Sequence, residues 1–199
     1  MPLLTASVHQ LLLFAHILAF AFAIVAVLRA DLALLTALRI DPSWPLAVGR
    51  PIFALLVLLW LSGGALTVIE YGFDLAAIAA KPKMMAKLTV VTLLTVNGFL
   101  LHSVAFPLLA RPPRRPRIAA LVCTVLGAVS TTTWLFAAFV GEARLIAPHM
   151  RYADFMLLYL AALALALGVA LWFVRPRIER LMAGGEVYAA EAVGQVAAR

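Results

Sequence analysis

Charge is scarce in this chain. Only 13% of its 199 residues are Asp, Glu, Lys or Arg, where a soluble domain carries about a quarter. There is one cysteine, Cys123, which excludes an intrachain disulfide and a Cys-rich metal site. Inside an apolar run it is expected to pack as a small hydrophobe. The sequence also lacks a Gly-rich phosphate loop and any Cys/His cluster with zinc spacing. It has no span with the spaced arginines of a voltage sensor, and no internal repeat of the kind secondary transporters show. The opening MPLLTASVHQLLLFAH has neither a basic leader nor a small-residue cleavage site, so the first apolar run is expected to stay as a mature helix.

What the chain has is apolar residues, 65% of the total. That is too many for one globular core of this size, so lipid must be the solvent for most of them. The formal charge of +7 could suggest nucleic acid, but the basic residues sit between apolar runs, where membrane proteins carry topology signals. A nucleic-acid partner is therefore not expected.

A spanning helix needs about 20 mostly apolar residues. Five runs qualify: 8–28, 51–71, 87–109, 118–140 and 154–174. Pro51 suits the first turn of the second, and Asp154 suits the N-cap of the fifth. The runs show no period-two alternation, which argues against strands. The fold class is thus an all-α integral membrane protein, a five-transmembrane-helix bundle over residues 1–177 with a cytoplasmic tail over 178–199. The stretch 30–50 is ambiguous: DLALLTALRI could prolong the first helix until Pro42 and Pro45 break it.

Basic residues set the orientation. Loop one, loop three and the tail hold eleven: Arg29, Arg39, Arg50, Arg111, Arg114, Arg115, Arg117, Arg175, Arg177, Arg180 and Arg199. The opposite side holds five: Lys81, Lys83, Lys87, Arg144 and Arg151. This predicts the N-terminus outside and the C-terminus in the cytoplasm. The lipid bilayer is the expected partner, with a homo-oligomer or another membrane protein as a further one.

An ionisable side chain in a bilayer needs an account. His16 and His102 lie within spans one and three; His9 and His149 lie near the outer ends. Two membrane histidines on different helices suggest axial ligation of a b-type haem. Helix midpoints place His16 and His102 about 8 Å apart in depth at about 1.5 Å per residue. Each could instead hydrogen-bond to a neighbouring helix. Helix three also carries Asn97, a buried amide that needs a partner, and a threonine run whose hydroxyls can bond to their own helix. Lys87, Gly98 and His102 share a face there. Gly63 and Gly64 permit a close helix or a porphyrin edge.

The order of features resembles a known family. FAHILAFAF holds a histidine early in span one, LWLSGGALTV a central glycine in span two, and KPKMMAKLTVVTLLTVNGFLLH a lysine opening span three. Over residues 10–105 this resembles the copper-resistance D-type membrane proteins and the related haem-containing protoporphyrinogen oxidases of bacteria. The resemblance implies a helical inner-membrane protein in which His16 is associated with haem and Lys87 is functionally important. The chain departs from that pattern after the histidine, where it reads AFAFAIVAV without Trp or Gly.

Three functions stay open. The first is a haem b redox protein, with His16 as axial ligand, His102 or His149 as the second, and Lys87 as the catalytic candidate that contacts an acidic substrate or a propionate. The second is a copper- or cation-handling transport protein, with His9, His16 and His149 on the metal. The third is an accessory subunit whose basic loops dock a partner.

Overall fold

A computed structural model describes residues 3–111 and 113–184. Its secondary structure is helical, with no strand among the described residues. The elements are α1 (Leu3–Thr36), α2 (Trp44–Tyr71), the short α3 (Leu75–Ala79), α4 (Pro82–Ala110), α5 (Pro116–Glu142) and α6 (Tyr152–Gly184). All but α3 are long and apolar enough to cross a membrane. Leu11, Phe14, Phe22, Trp172 and Phe173 stand exposed on their surfaces, an arrangement that water would penalise and lipid would not.

The helices are longer than the apolar runs suggest. The first passes Arg29 and Asp31 and stops at Thr36. The second begins at Trp44 with Pro45 in its first turn, so Pro51 lies inside the helix and does not open it. Asp154 is not the N-cap of α6. It sits in the first turn, and its carboxylate accepts from the Arg151 N–H at 2.7 Å, where the helix dipole also favours a negative charge. At the other end α6 runs on to Gly184, with Ile178 and Met182 buried. Residues 178–184 therefore belong to the bundle; the rest of the expected tail lies outside the described residues.

Each of α4 and α6 contains one π turn, at Leu101–Ala105 and Ala170–Val174. Both stand two residues before a proline, Pro107 and Pro176. Proline has no N–H and its ring collides with the carbonyl four residues back; a local widening of the helix absorbs both problems. Between α1 and α2, Asp41 accepts from the Ser43 N–H and hydroxyl, both at 2.8 Å. These bonds hold its carboxyl below the usual range. The turn is thus firm above the ordinary Asp pKa and loosens as pH falls through the lowered one.

The central helix is α5, the most buried of the five. It packs on α1, α4 and α6, while α1 packs chiefly on α2. Between the helices one device recurs. A hydroxyl donates to a carbonyl of its own helix and accepts from a ring donor on the next. Trp60 Nε1 donates to Thr95 at 2.8 Å while Thr95 donates to Val91 O. Thr133 donates to Val129 O, which leaves the Tyr159 hydroxyl as the donor in their 2.9 Å bond. Thr89 and Tyr152 repeat the arrangement at 3.0 Å. Thr89 and Thr95 of helix three thus do more than satisfy themselves. Asn97, buried, donates to Leu126 O at 3.1 Å and ties α4 to α5. Replacing Asn97 with Ala is expected to lower unfolding free energy by about 0.6–1.7 kcal/mol, measurable by denaturant titration in detergent.

Candidate functional site

His16 is held by the same device. Its Nδ1 lies 2.7 Å from the Ser62 hydroxyl on α2, and Ser62 donates its single proton to Leu58 O at 2.7 Å. With the Ser62 proton on Leu58 O, Ser62 accepts and Nδ1 carries the ring proton. The lone pair is then on Nε2. Trp60 exhausts its one polar atom in the equivalent bond, and Tyr152 and Tyr159 have no second polar atom; His16 has a second ring nitrogen. A ring fixed by an N–H donated on one side and bearing a lone pair on the other is the arrangement that metal-ligating histidines use.

Small residues make room for this ring. A Cβ on Gly63 would stand 3.2 Å from His16 Cε1, and one on Gly64 would meet open space. Lys87 lies close enough to act on His16 electrostatically, and its side chain is exposed. The two residues singled out by the family resemblance thus belong to one neighbourhood. Lys83, on the same helix, is committed elsewhere: its ammonium donates to Gly141 O at 3.2 Å near the end of α5, where helix carbonyls lack partners.

His102 belongs to a different place. Its Nδ1 donates to Gly98 O at 3.0 Å, a bond within its own helix. Nε2 is covered by α2, since a Cβ on Gly49 would stand 2.8 Å away. Phe106 and Phe53 flank the ring, with centroids at 4.9 and 5.9 Å. His16 and His102 both touch α2, but at Gly63 and Gly49, about four turns or about 20 Å apart along the helix. Two axial ligands must reach one iron from opposite faces, so this pair does not clamp a shared haem. The depth mismatch expected from helix midpoints is larger in the fold because the helix boundaries shift.

Around His102 lies a cavity of about 100 Å³ between α1, α2, α4 and α5. Its wall includes a residue from the stretch that the sequence leaves ambiguous between loop and helix one, Asp31. This carboxylate sits within the apolar length of α1 and is held by the Thr131 hydroxyl on α5. The signal was present in the unbroken apolar pattern after Asp31. Its partner, 100 residues later, was not foreseeable. Cys123 lines the same cavity, buried, with its thiol 3.6 Å from Ala105 O, in keeping with a packing role.

His9 is half-buried on α1 and His149 is exposed on the turn Ala147–His149. No group of three His, Cys, Asp or Glu side chains able to hold a metal occurs among the described residues. The expected metal set of His9, His16 and His149 is therefore not gathered as a group of three. Comparison with protein-family models, curated proteins and solved structures finds no match to this chain.

Proposed function

We propose that this chain is a multi-pass membrane protein that holds a b-type haem through His16 alone and serves a redox role. The observation that supports it is the 2.7 Å contact of His16 Nδ1 with a Ser62 hydroxyl that also reaches Leu58 O, with no hydrogen-bond partner on Nε2 among the described residues. One-sided ligation fits these residues; two-sided ligation with His102 does not. When bound, the haem supplies one-electron chemistry. The chain's own residues would bind and orient: His16 would supply a nitrogen ligand, Ser62 would hold its ring, and Lys87 would offer a cation to a propionate or to an acidic substrate. The resemblance over residues 10–105 agrees with this assignment. So does the excess of arginine at the opposite end, which favours His16 on the outer half of a bacterial inner membrane.

The test is spectroscopic. Full-length protein expressed with supplied haem is expected to purify with a Soret band. Its affinity for haem should exceed that for the dimethyl ester, and Lys87→Gln should abolish that preference while keeping the band. A colourless protein under these conditions would sink the proposal.

A second reading has its own support. The His16–Ser62 bond has the form of three other interhelical bonds whose donors are tryptophan or tyrosine. An accessory subunit without chemistry would use His16 in that way. It predicts that His16→Gln changes stability alone.

A further inference from the structure

At the arginine-rich end of the bundle an open groove of about 540 Å³ runs between the α1–α2 connection, the end of α4 and the end of α6. Arg39, Arg111, Arg177 and Arg180 line it, each from one of these three places. None of the lining residues is acidic. The nearest carboxylate on α6, Glu179, is already paired with Arg117 at 3.1 Å. Between the guanidiniums the floor is apolar, with Leu108, Leu109 and Leu181. Arg177 donates from Nη2 to Ala37 O at 3.0 Å, but its Nε is buried with no hydrogen-bond partner among the described residues. A buried donor in this state calls for an acceptor.

An occupant that suits these walls needs anionic oxygens for several arginines and a hydrocarbon part for the leucines. It must also be found where apolar helices end. Free phosphate lacks the second property and a soluble polyanion lacks the third. We propose that the groove binds one anionic phospholipid, with its phosphate among Arg111, Arg177 and Arg180 and an acyl chain over Leu109 and Leu181. The lipid fastens the end of α6 to the α1–α2 connection. Basic pockets between membrane helices recognise such headgroups. The proposal rests on the membrane reading of the chain but not on haem.

Full-length protein in phosphatidylcholine bilayers, with and without phosphatidylglycerol, tests it. Flotation with both vesicle types reports membrane residence separately. Native mass spectrometry is expected to show one retained phosphatidylglycerol per chain, and melting temperature should rise when that lipid is present. R111Q/R180Q removes two exposed arginines and leaves the Arg177–Ala37 bond; retention should drop by about tenfold or more. R114Q/R115Q removes the same charge from exposed positions outside the groove and should retain the lipid. Equal losses in the two pairs would overturn the proposal in favour of diffuse attraction. Inorganic phosphate stabilising as well as the lipid would overturn it too. So would retention that appears only after residues 185–199 are deleted, since the tail would then be the natural occupant.

Discussion

His16→Ala is expected to remove the haem band completely, and imidazole added to that variant is expected to restore it. Ser62→Ala is expected to keep the band but weaken haem retention about 10- to 100-fold. The difference follows from the order of the hydrogen bonds. Ser62 spends its proton on Leu58 O and accepts from His16 Nδ1. Without that acceptor the ring loses both its orientation and the preference for the tautomer that exposes Nε2. The nitrogen donor itself survives, so binding weakens and is not lost. Unchanged haem content in His16→Ala would exclude His16 as the ligand. Equal, modest losses of stability in both variants, with no spectral change, would favour the accessory reading.

The second large effect is expected at Gly49. A methyl group there would stand 2.4 Å from Phe106 Cε2 and 2.8 Å from His102 Nε2. Neither ring has an easy retreat: His102 is bonded to Gly98 O and lies against Phe106 and Phe53. Gly49→Ala should therefore destabilise by about 1–3 kcal/mol, the usual range for overpacking. Adding His102→Ala should return part of that loss, because the two substitutions share one contact and are not additive. Gly64→Ala is the control. Nothing lies within 4 Å of its added carbon, and alanine is the better helix former by about 1 kcal/mol, so this variant should be neutral or more stable. The same experiment separates the two histidines in function. Folded Gly49→Ala protein should keep any haem band, since His102 is not a ligand in the proposed site. A loss of haem in proportion greater than the loss of folded protein would return His102 to the ligand set.

Most of the architecture was legible because the bilayer imposes a length. Twenty apolar residues in a row have few other uses, and five such runs gave five long helices. The ends were less legible. Hydropathy falls at Arg29 and Asp31, yet α1 continues to Thr36, because Thr131 on α5 holds the carboxylate and Arg177 on α6 caps Ala37. Those partners lie 100 and 140 positions away in the chain. The fifth helix likewise outlasts its apolar run because Ile178 and Met182 find a core.

The candidate site divides the same way. Residue chemistry alone pointed to His16 and His102, since imidazole groups inside apolar spans need a reason to be there, and the family resemblance added Lys87. Sequence by itself determined the helical class, five runs long and apolar enough to cross a membrane, and this short set of polar residues, because each depends on local composition and run length. Only the tertiary structure decided which of them meet. Packing of α1 on α2 set His16 against Ser62 and left its Nε2 uncommitted, while the π turn before Pro107 and the bare surface of Gly49 enclosed His102 about four turns away. Such choices depend on which helix faces which, and at what height, and no local run of residues encodes that.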